Sequence, residues 1–456
     1  MSVANDEITA AKRSKIADAF ETTRLHSMDQ FRGFIIFSMF IVNTGVLRHW
    51  RMFHHDRWHA QFADMIMPGF IFAVGFSFRL SALKRYPKIG GPRMTLSYLR
   101  RSLILMLLVM FMEGFSGVGT WQELDQLPRR YTGPALAETA EQPQTEDAND
   151  ALLPKHFVMH WYYWFLGVLR SQMCEVLGII ALTQLWVLPL ILTSSRTRII
   201  AMIIFALTHV VISYWFNWNF ANGAPNAMDK FLNFKPDSTF DGGFFGNISW
   251  SVVMLAGSLA YDIVKSSATV WCSTRRLLTL GIVLMSAGYL VSIPSRLYDL
   301  DATTEEEQIK QAQHLAETPV LPPFAEGAGR PLRQWFPPLP VFQSDEGWKY
   351  TPNYWMPSKR IVTLPYTLFA SGFCFALYGL FVLTVDGRGW QIGVLRTLGT
   401  NALIAYVIHY MVKSRVRDIM PQGAPDWFRY VQFAVFFAII YLILRTLERR
   451  QIHVRL

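Results

Sequence analysis

IVTLPYTLFASGFCFALYGLFVLTV, residues 361–385, contains no Asp, Glu, Lys, Arg or His. An α-helix rises about 1.5 Å per residue, so about 20 residues of this kind cross a hydrocarbon core about 30 Å thick. A single such run can be buried in a soluble core. Working outward from this one, further runs dominated by apolar residues occur at 31–48, 64–80, 98–118, 172–194, 199–216, 248–264, 277–295, 396–413 and 429–446. So many runs of this length cannot share one soluble core, but they can face lipid. The sequence therefore predicts an all-α, polytopic transmembrane helix bundle of about ten spans with extended outer loops. Segment 160–172 is apolar and aromatic but short, and reads as interfacial, re-entrant or an extension of the fourth span.

Composition agrees. Only 17% of the 456 residues are charged, against about 25% in a typical soluble protein. The 34 Phe suit hydrocarbon and the 15 Trp suit the membrane interface. The net charge of +10 does not indicate nucleic acid, because the basic residues sit in short loops between apolar runs. Cys174, Cys272 and Cys374 are widely spaced in or beside apolar runs and read as small apolar residues, without a structural disulfide.

Charge assigns the sides. The stretch from Arg79 to Arg101 holds seven basic residues and no acid, which places it in the cytoplasm by the positive-inside rule. Alternation then brings the polar N-terminal segment 1–30, the loops at Arg196 and Arg198, at Arg275 and Arg276 and at Arg388, and the tail 447–456 to the same side, so both termini are cytoplasmic. Arg415 and Arg417 are the exception. Residues 119–158, with seven acids against three bases, and the proline-rich stretch 296–358 fall outside. The latter reads as an irregular cap or a disordered loop. The domain organisation is thus one membrane domain over 31–446 between two short cytoplasmic segments.

Polar residues in this apolar background are the candidates for chemistry. Asp29 and Arg32 lie three apart at a helix start and share a side. They either offset the helix terminus and anchor it, or shape an opening for an anion. Asn43 lies late in the same span, where it binds a substrate or ties helices together. His54, His55 and His59 fall within six residues, ahead of Asp64. An imidazole takes and returns protons near neutral pH, and an aspartate fixes its orientation. No defined metal-site spacing accompanies them, and no metal is expected. Asn401 and His409 lie two turns apart in the run 396–413, which puts them on one face of a single helix. Glu113, Glu175 and Asp386 are weaker candidates at or near span ends.

Several of these residues fall into recognisable blocks. Ser27, Asp29, Phe31, Arg32 and Gly33 form an SxDxFRG opening, and His55, Trp58 and His59 form HxxWH. Asp64, Pro68, Phe70, Phe72 and Gly75 follow, and Thr363, Tyr366 and Leu368 form a later block. Asp386, Gly399, Asn401, Ala402, Leu403 and Tyr406 complete a D…GxNALxxY pattern. On these residues, spread from 24 to about 446, the chain resembles the heparan-alpha-glucosaminide N-acetyltransferase family and its bacterial relatives, within a wider group of transmembrane acyltransferases. It departs from the pattern at GVLRSQMCEVLG (167–178), at Val362 and at Pro365.

The resemblance implies an acyltransferase that takes acetyl-CoA, or another acyl-CoA, from the cytoplasmic side. An amino-sugar or glycan acceptor would stand at the outer side of a bacterial inner membrane. The essential histidine of the family corresponds to His55 by the HxxWH spacing and to His54 by counting back from Asp64; its paired asparagine corresponds to Asn43. Asp64 would orient the imidazole or bind acceptor. Arg32, Asp29, Arg101 and Asn401 would hold the acyl-CoA, and Trp58, His59 and His409 the acceptor. Membrane lipids are the surrounding partners, and a homodimer is compatible with this reading. A polar-solute transporter and a catalytically inactive membrane assembly protein are the competing classes.

Overall fold

In a computed structural model the chain is all α. The structure describes residues 25–56, 58–117, 176–216, 241–299, 319–324, 335–341, 351–418 and 424–452. The segment 160–172, Glu175, Cys174, the loop 119–158 and most of the N-terminal segment lie outside these residues. The described helices are α1 (His26–Thr44), α2 (Ile66–Gly117), α3 (Val176–Val187), α4 (Ser195–Phe216), α5 (Gly243–Ser266), α6 (Val270–Val291), α7 (Leu364–Phe381), α8 (Gly393–Thr400), α9 (Ala402–Asp418) and α10 (Phe428–Arg449).

Six of the described segments are long and apolar enough to cross a membrane: Phe62–Val109, Ser195–Trp215, Phe245–Ser266, Val270–Tyr298, Leu364–Gly387 and Phe428–Arg449. The protein is a multi-pass integral membrane helix bundle. α5 is buried along nearly its whole length and forms the centre, whereas the apolar segments of α4, α6 and α10 bury few of their residues. Exposed Ile200, Ile203, Ile204 and Leu207 on α4 would be untenable in water as a continuous stripe, and are at home in hydrocarbon.

Three local features differ from the sequence expectation. The basic stretch 79–101 is helical and not a loop. α2 breaks only at Gly90, whose φ of 73° lies in the left-handed region, and Pro87 and Pro92 flank the turn. The two arms fold back on each other: the rings of Phe78 and Tyr98 lie 4.6 Å apart, and the Tyr98 hydroxyl donates to Ser81 Oγ at 2.9 Å. Lys84, Arg85, Lys88 and Arg93 therefore decorate an exposed hairpin tip, whereas Arg79 is buried in the bundle.

In the described part of the run 172–194, α3 ends at Val187, ahead of the expected end of the span. Pro189 explains the early stop, because it supplies no N–H and its ring excludes a helical residue before it. The run 396–413 is not one helix either. Asn401 (φ −122°, ψ 46°) leaves helical geometry between α8 and α9. Asn401 and His409 therefore do not share a helix face as expected. The Asn401 side-chain amide instead donates to the Ile452 carbonyl at 3.2 Å.

Glycines permit two backbone-to-backbone contacts that set the bundle's geometry. A Cβ on Gly33 of α1 would stand 1.8 Å from the Leu395 carbonyl oxygen of α8, and one on Gly399 would stand 1.7 Å from that of Asp29. Likewise, a Cβ on Gly75 of α2 would meet the Met254 oxygen at 1.9 Å, and one on Gly257 of α5 the Phe72 oxygen at 2.0 Å. The first contact brings together two motif blocks from opposite ends of the chain.

Candidate functional site

Hydrogen bonds sort the polar residues to two ends of the bundle. At the first end, the Ser27 N–H donates to Asp386 Oδ1 at 3.3 Å, and the Ile392 N–H donates to Gln30 Oε1 at 3.0 Å. Asp29 pairs with Arg32 one turn on, as their spacing requires. Asn401 joins them through the α1–α8 contact. Arg101 stands apart, on the returning arm of α2, where its Nε is buried without a hydrogen-bond partner.

The opposite end holds the histidines. A short 3₁₀ turn, Phe62–Met65, leads into α2 and is started by a capping box between Gln61 and Asp64. The cap fixes the Asp64 carboxylate, whose Oδ2 accepts the N–H groups of Gln61 at 2.9 Å and of Asp56 at 3.3 Å. The Tyr366 hydroxyl donates to the Asp64 carbonyl at 2.7 Å and ties this turn to α7. Asp64 Oδ1 is left to face His55 Nδ1 at 2.7 Å. The carboxylate is 1% exposed and the imidazole 51% exposed. An acceptor-only carboxylate requires Nδ1 to carry the proton, which leaves the lone pair on Nε2 to act as a base. His55 is thus oriented by a buried group while its own ring reaches solvent.

His54 takes no part in this pair. Its Nε2 bonds the Arg48 carbonyl at the exposed surface. Of the two neighbouring histidines, His55 is the one that meets Asp64. His59 is fully buried, and its Nε2 donates to the Pro338 carbonyl at 3.0 Å. Burial holds its pKa below the ordinary 6.5, against the opposing pull of that carbonyl. Trp58 packs in a small cluster with Val320, Tyr354, Met356 and Ile361. The Asp56 carboxylate accepts the N–H groups of both Trp58 and His59 at 2.9 Å, turning them into the wall while His55 faces out. The proline-rich stretch, where described, is an irregular cap pinned to this wall: the Ala60 N–H donates to Pro357 and the Ala60 carbonyl accepts from Val341.

No family model matches the chain, and no curated protein matches it. What the site can do is therefore carried by its own geometry.

A second polar pair lies beside α1's end. The Asn43 side-chain amide meets His409 Nε2 at 3.1 Å. His409 Nδ1 faces the Tyr406 carbonyl and must donate to it, so Nε2 accepts from Asn43. The His409 ring is fully buried and lies 4.0 Å from that of Tyr410. Tyr406 in turn meets Phe70 of α2 at 6.2 Å, which places α9 against the helix that Asp64 precedes.

One ionic cluster was not anticipated as a unit. Asp262 of α5 receives Arg79 of α2 at 3.1 Å and pairs with Arg198 of α4. Ser195 Oγ donates to the same carboxylate at 3.0 Å, and Arg198 donates to Ser258 Oγ at 2.6 Å. The available signal was Asp262 itself, an acid within the apolar run 248–264. Asp56 was also missed, since its role depends on the path of the loop.

Proposed function

We propose that this protein is a membrane acyltransferase. It moves an acyl group, in the simplest case acetyl, from cytoplasmic acyl-CoA to an amino-sugar or glycan acceptor at the outer side. The observation that carries this reading is the His55–Asp64 pair: a solvent-reaching imidazole with Nε2 free to act, held from behind by a buried carboxylate. The resemblance to the heparan-alpha-glucosaminide N-acetyltransferase family supports the same chemistry on the same residues.

In the proposed reaction His55 Nε2 removes the proton from the acceptor's amine or hydroxyl as that atom attacks the thioester carbonyl. The tetrahedral intermediate expels the CoA thiolate, which recovers the proton from the imidazolium. In a two-step variant Nε2 itself attacks and carries the acyl group before the acceptor takes it. Asn43, whose amide bonds His409 Nε2, would donate to the developing oxyanion. Arg32 and Arg101 would meet the CoA phosphates at the inner end, with Asp29 and Asn401 beside them. Trp58 and His59 would shape the acceptor side from within the wall. This reading takes the bundle as about ten crossings of a bacterial inner membrane, with both termini in the cytoplasm.

Purified protein in detergent should move radiolabelled acetyl from acetyl-CoA to a member of an amino-sugar panel. His55→Ala should lower that rate by about 10²–10⁴-fold, the usual contribution of a positioned acid–base group. Turnover retained in the variant would remove His55 from the mechanism.

A further inference from the structure

An apolar groove of about 630 Å³ opens at the His55 end. Its walls come from α4 (Val210, Val211 and Tyr214), from Pro294, from Val320, Leu321, Pro322 and Phe324, and from Trp355. The volume falls in the range of about 300–1,000 Å³ found for small-molecule sites. Polar surface is nearly absent from it, so a sugar or a CoA phosphate finds nothing to bond there.

Two observations say what occupies it. Val211 and Tyr214 line the groove and also belong to the exposed apolar stripe of α4, with Ile203, Ile204 and Leu207. The groove is therefore continuous with the surface that faces lipid, and a chain can enter it sideways from the membrane. Its far wall is a fixed part of the protein: Trp355 Nε1 donates to the Val320 carbonyl at 2.7 Å, and the Tyr354 N–H donates to Pro319 at 3.1 Å. That wall belongs to the cluster that holds Trp58. Trp58 is tied through Asp56 to Asp64, and Asp64 holds His55. A chain of direct contacts thus links the groove's wall to His55.

We propose that the acceptor is lipid-anchored and that this groove holds its hydrocarbon chain, leaving the polar head at the end where His55 stands. The proposal rests on the acyl-transfer reading above and names the substrate class for it. Chemistry is unchanged: His55 acts on the head group, and the chain only positions it.

The test compares a soluble amino sugar with its dodecyl glycoside as acceptors for the protein in lipid nanodiscs. The wild type should show a KM for the glycoside lower by about tenfold or more. Val211→Trp, and independently Leu321→Trp, fill the groove from exposed positions and should shrink the ratio of the two KM values towards one. A glycoside advantage that survives both substitutions reflects partitioning into the bilayer and overturns the proposal, as do equal KM values in the wild type. Transfer to neither acceptor overturns the acyl-transfer reading itself. In that case a diazirine placed on the glycoside's chain still reports the groove. Crosslinks concentrated on Leu321–Phe324 and Trp355 keep the chain site and refute only its acceptor role, whereas crosslinks spread along Ile203 and Ile204 refute both.

Discussion

Asp64 and Asp262 are each a single carboxylate set into an apolar bundle, and they are used in opposite ways. Asp262 is met by two guanidinium groups and the Ser195 hydroxyl. The cluster joins side chains of α2, α4 and α5 and so holds the three helices together. Asp64 is met by backbone N–H groups and one imidazole. Its partner is half exposed. The lesson is that a buried carboxylate takes its local role from the partner it is given: two guanidinium groups close Asp262 off, while an imidazole links Asp64 to the exposed surface.

The sharpest way to break this comparison is to neutralise each carboxylate. Asp262→Asn leaves two largely buried guanidinium groups without their counter-charge and should cost about 3–5 kcal/mol of stability. Thermal unfolding in detergent measures this, and an unchanged melting temperature would show the cluster to be hydrated. Asp64→Asn should instead act on turnover: with the carboxylate gone, the Nδ1-protonated tautomer loses its preference and kcat should fall by about 10²-fold, while KM for acetyl-CoA changes little. A loss in KM alone would assign Asp64 to binding.

Smaller effects sharpen the contrast. Ser195→Ala removes one hydrogen bond from the Asp262 cluster and should cost about 0.5–1.5 kcal/mol without altering the pH–rate profile. The smallest effect concerns His59. Its folded pKa is lowered from 6.5 by burial, so unfolding takes up a proton as the pH falls below 6.5. Stability from this group is complete above pH 6.5 and declines as the pH drops towards the folded value. Melting temperatures between pH 7.5 and 5 should fall less steeply in His59→Gln than in the wild type.

The bundle was legible because the uncharged runs are long and regular, and because Asp29 and Arg32 lie one turn apart on a helix that forms as read. The Asp64–His55 pair was half legible. Composition placed the residues together, but the choice between His54 and His55 depends on Asp56 capping two backbone N–H groups, a matter of loop path. The break at Asn401 was hidden, since Asn is tolerated in a helix and the Ile452 carbonyl that recruits it lies 51 positions away. Pro189 marked the end of α3, yet an apolar run on both sides masked it. The Asp262 cluster draws on three helices, so no local pattern contains it.

The contact between α1 and α8 has a consequence for biosynthesis. Gln30 receives its partner Ile392 only after 362 further residues have been made. At about 5–20 residues per second the ribosome needs about 20–70 s for that stretch. Until then the Gln30 amide and the backbone of α1 beside Gly33 lack the partners they have in the folded structure. A chain cut short before residue 392 therefore keeps α1 without the α8 contact that Gly33 and Gly399 make possible.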